Sequence, residues 1–172
     1  MTLPHLYALQ GAVASRSEAA LLTATKEIIA TQGIKNLAMI DIADLSQVSR
    51  ATLYNHFRDK DAVLYSLLSR EIISLFEHAP KNPVELLEYF SCAISADQAL
   101  AGMRSHDPAI LTKMLMRSED KIWHAIDAFF LTALGSQVKA GMAISWLIGQ
   151  VLQPLTPEQS RSQGAELLHA NL

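Results

Sequence analysis

One cysteine in 172 residues, Cys92, is too few for a disulfide within the chain and fits a reducing compartment. Charge is scarce too: Asp, Glu, Lys and Arg make up 18% of the chain, against a hydrophobic share of 50%. So low a charged fraction leaves apolar surface for a core and for buried subunit contacts. Basic residues are not in excess, and a net charge of −3 excludes a generally basic coat for nucleic acid. Only the distribution leans the other way. Residues 1–60 carry six Lys/Arg and five Asp/Glu, whereas 61–172 carry eight and twelve, so a slightly basic first third precedes an acidic remainder.

Long hydrophobic runs are missing as well. The longest uncharged run, 140–157, contains Ser145, Gln150, Gln153 and two prolines. Its apolar part is too short to cross a bilayer, so no membrane association is expected. The early segment LYALQGAVAS has an A-x-A ending but lacks the basic start of a secretion signal and contains Gln10. A cytoplasmic protein is expected. Catalytic signatures are absent too: there is no phosphate-binding loop and no nucleophile elbow. His106-Asp107 stands alone and reads as a helix cap, and the six histidines lack the spacing of a zinc site. Neither a catalytic residue, a metal nor a cofactor is expected.

β-branched alternation is lacking, while apolar residues recur at helical spacing almost throughout, which predicts an all-α chain of nine or ten helices. Helices are expected over about 17–32, 39–46, 50–57, 60–78 and 84–96. Asp107-Pro108 then starts a helical pattern that runs to Leu134, with a break near Ser118. Helices over about 136–152 and 157–170 follow, the last opened by a Thr156/Gln159 capping box. The stretch SADQALAGMRSH has no clear assignment, and the first fifteen residues read as a loose arm or a short extra helix. The boundary is set at residue 60: residues 1–60 hold the arm and the first three helices, 61–172 a helical remainder.

The informative part is IDIADLSQVSRATLYNHF, a helix, a tight turn and a second helix. Ser49 caps the second helix, and Val48 before it staples against Leu53. At 100° per residue, Leu53 and Phe57 share an inward face with Ile42 and Val48. Ala51, Thr52 and Asn55 point the opposite way, with Tyr54 and His56 on the flanks. A helix lying in the major groove needs this shape, with base-edge readers at its centre and phosphate contacts on both banks. Arg50 opens the helix and reaches toward a guanine or a phosphate. Lys60 adds a cation at the start of the next helix, beside N–H groups that favour an anion. Two short helices with a polar flank also occur in helical proteins that bind nothing.

Over about residues 17–68 the chain resembles the N-terminal domain of TetR-family transcriptional regulators. Gly33, Ile42-Ala43, Val48-Ser49, Thr52-Leu53-Tyr54, His56-Phe57 and Lys60 carry the resemblance. It implies an all-helical homodimer: a three-helix helix-turn-helix domain followed by an effector and dimerisation domain, bound as a repressor to a palindromic operator in double-stranded DNA and released by a small molecule. By position, the resemblance turns Arg50 and Ala51 to bases and gives Thr52, Tyr54, His56 and Lys60 to phosphates or the groove edge. Asn55 occupies a position that varies with operator sequence. Three departures stand out. Ala38 replaces a capping Ser or Thr, at a cost of about 1 kcal/mol. Gln47 replaces the turn glycine, so it must adopt positive φ or shift the turn. Met39 and Ile40 give the first short helix no basic reader.

For the remainder, candidate effector residues are Tyr89, Phe90, Met103, His106, Met114, Trp123, His124 and Phe130, each of which an ordinary helical core would also contain. Few buried charges are evident, so an apolar or aromatic small molecule is the expected ligand. Gly141, Ser145 and Gly149 recur every four residues on one stripe, flanked by Trp146 and Leu152. The resemblance implies a dimer built from the last two helices, here about 136–152 and 156–170, and this stripe is its candidate interface, or else a contact of those two helices within one chain. Two rival readings remain: a DNA-binding protein without an effector, and a helical ligand-binding or interaction protein whose DNA function has decayed.

Overall fold

The computed structural model describes residues 16–116 and 118–169. The arm expected at the extreme N-terminus and the last residue of the expected final helix lie outside them. Ten α-helices and no strand occur among the described residues: α1 (Arg16–Gln32), α2 (Met39–Ser46), α3 (Arg50–His56), α4 (Lys60–Glu77), α5 (Pro83–Ala96), α6 (Gln98–His106), α7 (Pro108–Met114), α8 (Lys121–Leu134), α9 (Gln137–Leu152) and α10 (Pro157–His169).

Their ends follow local chemistry. Ser49 Oγ accepts from the Thr52 N–H at α3, and Asn82 Oδ1 accepts from Val84 and Glu85 at α5, with Pro83 in the first turn. Asp59 Oδ1 accepts from Ala62 N at 2.9 Å and so starts α4. Thr156 and Gln159 complete a reciprocal capping box at α10, each side chain accepting the other's N–H, at 3.2 and 3.0 Å. The helical pattern that begins at Pro108 divides. α7 closes with i→i+3 bonds from Leu115 and Met116, and α8 restarts at Asp120, whose Oδ1 accepts from Ile122 and Trp123. Gly135 (φ 66) ends α8 in the left-handed region.

Packing divides the chain into two compact units. The first comprises the described residues up to Ile73 together with Gln98–Leu111; the second comprises Ser74–Asp97 and the described residues from Thr112. Packing therefore does not follow a boundary at residue 60: most of α4 and all of α6 pack with the first three helices. In the first unit, Leu21, Leu22, Ile28, Ile29, Ile42, Leu53, Phe57, Val63 and Met103 form the core. Each such side chain withdrawn from water contributes about 1.5–3 kcal/mol. Gly102 of α6 presses on α1 so closely that a Cβ there would fall onto the carbonyl oxygens of Ile29 and Ala30. Lys26 pairs with Glu71, and Arg70 bonds both Glu71 and the Ala19 carbonyl, which ties α1 to α4.

The second unit is built on aromatics. Phe76 and Phe129 stack at 4.1 Å between centroids, and Phe90 lies 5.5 Å from Phe129 and 5.1 Å from Phe130. Where α5, α9 and α10 meet, Ser91 bonds Gln150 and, at 2.6 Å, Ser160, all three being buried. A buried polar cluster whose members satisfy one another fixes helix register without a desolvation penalty. α10 lies on α5 through Gly164, where a Cβ would be 3.3 Å from Leu87 Cβ.

Candidate nucleic-acid interface

α2 and α3 are joined by Gln47, which takes φ 56, ψ 28; its N–H bonds back to Asp44 O, and the Val48 N–H bonds to Ala43 O at 3.2 Å. The turn is kept at glycine-like geometry rather than shifted, at the steric cost a side chain meets in the left-handed region. Ala38, as expected, supplies α2 with no side-chain cap. Leu53 (0% exposed) and Phe57 (3%) point into the core with Ile42, and Val48 is half-buried. Anchored by that edge, α3 turns its other face outward: Arg50, Ala51, Asn55 and His56 are exposed, Tyr54 is 56% exposed, and Thr52 is half-buried.

These outward groups are not equivalent. Thr52 Oγ1 is 2.8 Å from Ser49 Oγ, so it shares a hydrogen bond with the cap. His56 Nε2 is 3.0 Å from Ser17 Oγ, which links the end of α3 to the start of α1. Arg58 pairs with Asp59 at 2.8 Å. Lys60 differs most from the expectation of a cation turned to phosphate: it is half-buried, and its Nζ donates to the Ile34 carbonyl at 3.1 Å. α2 offers no cation outward but exposes Asp41, Asp44, Ile40 and Leu45.

A helix anchored by one edge, a tight turn and a second short helix with base-reading chemistry outward make a helix-turn-helix. Residues 21–67 match the family model described as bacterial regulatory proteins, tetR family. Residues 21–67 thus form a tetR-type N-terminal domain. Such a domain is one of bacterial regulatory proteins, and the described residues are all-α. No curated protein sequence matches the chain. Among solved structures it is similar to the dihydroxyacetone kinase operon activator DhaS, with 13% identity and a TM-score of 0.66 over 90% of this chain and 95% of that one. That likeness shows that the fold is shared well beyond the matched domain. A TetR-family transcriptional regulator from Haemophilus influenzae, 17% identical, gives a TM-score of 0.49 over 90% of this chain and 95% of that one.

Away from the tetR-type domain, the expected effector residues are only partly gathered. Tyr89 lies edge-on to Phe90 at 5.4 Å, Phe90 packs on Phe130, and Trp123 is half-buried two turns before Phe130 on α8. Met114 is exposed. His124 is exposed as well, in an open polar depression with Ser118, Glu119 and Asp127, its Nε2 3.6 Å from Glu119. Met103 and His106 belong to the first unit, where Met103 is core. On α9, Ser145 and Gly149 are exposed, Gly141 is half-buried and Leu152 is 45% exposed; a Cβ at either glycine would meet nothing. Trp146 is engaged within the unit, its Nε1 donating to Gln163 Oε1 at 2.9 Å.

Sequence reasoning read Asp107 only as a helix cap, without its contact to Lys35, and missed Gly102. A glycine inside a helical pattern was a usable signal of close backbone approach. Asp107 gave none, because its partner Lys35 lies 72 residues away.

Proposed function

We propose that the chain is a dimeric repressor that reads a palindromic operator in double-stranded DNA through α3 and leaves it when a small apolar or aromatic molecule binds. The observation that carries the reading is the anchored α3, with Leu53 and Phe57 buried and Arg50, Ala51 and Asn55 exposed. Base contacts discriminate, whereas phosphate contacts give affinity to any sequence. Asn55→Ala is therefore expected to weaken operator binding by about 1–3 kcal/mol and to leave random-DNA binding nearly unchanged. Binding titrations on both duplexes check this, starting with DNA that flanks the chain's own gene; equal loss on both removes Asn55 from the base-reading set. A reporter fused to that flanking DNA separates repression from activation.

For the effector, Tyr89, Phe90, Trp123 and Phe130 offer the apolar and aromatic chemistry. Binding among them is expected to change tryptophan emission and to weaken operator binding by the same factor as DNA weakens the ligand. A ligand that binds tightly and leaves operator affinity unchanged removes release as the mechanism. For the dimer, α9 supplies the face. A glycine within a helix costs about 1 kcal/mol relative to alanine, and a Cβ added at Gly141 or Gly149 would meet nothing within 4 Å among the described residues. A second copy laid on this stripe would fill that space.

A further inference from the structure

The connection from α1 to α2, residues 33–38, is gripped from two sides by opposite charges. Asp107, 4% exposed at the corner between α6 and α7, accepts the Lys35 N–H at 3.0 Å through Oδ2. The Lys60 ammonium, at the start of α4, holds the adjacent Ile34 carbonyl at 3.1 Å. The turn is shaped around the carboxylate. Gly33 takes φ 79, and a Cβ there would fall onto Asp107 Oδ2 and come within 2.7 Å of His106 Cβ. Gly102, on the same α6, sets that corner by lying directly on the end of α1. A buried carboxylate that accepts a backbone N–H is a strong, charge-assisted contact, and a buried carboxylate without a partner is costly.

We propose that Asp107 is a positioning residue for the DNA-reading helices: from outside the helix-turn-helix, its carboxylate fixes the turn from which α2 and α3 are suspended, with Lys60 holding the opposite side. The geometry gives Lys60 a task other than phosphate contact and gives α6, which precedes Asp107, a place in operator affinity. This rests on the reading of α3 as the DNA-reading helix, and one arm of the test is independent of DNA.

The test uses the full chain, its D107A and D107N variants, and a duplex recovered by wild-type selection from a random-sequence library. D107A is expected to bind that duplex about tenfold more weakly while circular dichroism stays unchanged. D107N, whose Oδ1 can still accept the Lys35 N–H, is expected to bind within about twofold of wild type, a rescue that a general packing role would not single out. In hydrogen exchange, the Lys35, α2 and α3 amides should exchange faster in D107A and as in wild type in D107N. Wild-type affinity and exchange in a folded D107A, or D107N as impaired as D107A, overturns the proposal. Should D107A not fold, wild-type exchange decides: a Lys35 amide as protected as those of α1 supports the latch, and a fast one overturns it. If wild-type selection recovers no duplex, the DNA reading fails, and the exchange arm alone judges whether Asp107 positions α2 and α3.

Discussion

At Asp120 a single carboxylate restarts the helical pattern that Ser118 interrupts. Burial opposes its ionisation most, but the Ser118 hydroxyl, the N–H groups of Trp123 and Ile122, and His124 together outweigh that and hold its carboxyl below the ordinary aspartate value. A carboxylate held below its unfolded value stabilises the fold above that value, about 3.9, and loses the contribution as pH falls through the folded value. Asp120→Ala is expected to cost about 1 kcal/mol at neutral pH. The gap between wild type and variant should narrow below about pH 4, as urea denaturation at pH 7 and pH 3 would show; a gap that does not change with pH removes the carboxylate as its source. This cap is local in sequence, yet it was legible only as a break near Ser118. Both Ser118 and Asp120 are acceptable caps, and only the structure shows the hydroxyl serving the carboxylate.

Among the elements, the helix-turn-helix was the most legible. Its caps, turn and core edge all lie within twenty residues, so propensity and periodicity point to the same answer as the packing. α6 lies at the other extreme. Nothing in QALAGMRSH caps or strongly patterns a helix; α6 exists because Gly102 and Met103 pack within the first unit, against partners far away in sequence. Asp107 shows the same limit. It stands where a cap for α7 would, and its carboxylate reaches Lys35 instead. The Gln47 departure belongs at this scale too. The turn absorbs a non-glycine at φ 56, the one positive-φ non-glycine among the described residues. Gln47→Gly relieves left-handed strain of about 1–2 kcal/mol and returns about 0.5–1 kcal/mol to unfolded-chain entropy. A net gain of about 0.5–1 kcal/mol is expected, seen as a higher urea midpoint at unchanged slope. An unchanged or lower midpoint shows that the Gln47 side chain compensates the strain.

For the whole molecule, apolar periodicity foretold helices and composition a large apolar interior, but neither showed how packing divides them. A boundary at residue 60 follows the sequence motif, whereas contacts keep α6 with the first unit because they depend on approach and not on chain order. The candidate dimer face was legible as a four-residue period, and among the described residues a Cβ added at Gly141 or Gly149 would meet nothing within 4 Å. α10 instead spends its small residues on the second unit's own core, with Ser160 and Gly164 buried. That difference makes the interface testable without damage to the fold. Gly149→Arg inserts a long cation where a Cβ meets nothing, and arginine is a better helix former than glycine, so the monomer should keep its helix content and its thermal midpoint should not fall. Across a close helix–helix contact between two copies, the same side chain and its charge meet their own symmetry mate, since a two-fold interface presents one patch to itself. Sedimentation is expected to show a dimer for wild type and a monomer for the variant, with operator binding weakened because the two half-sites are then bound independently. A variant that remains dimeric with unchanged operator affinity moves the interface off the Gly141–Ser145–Gly149 stripe.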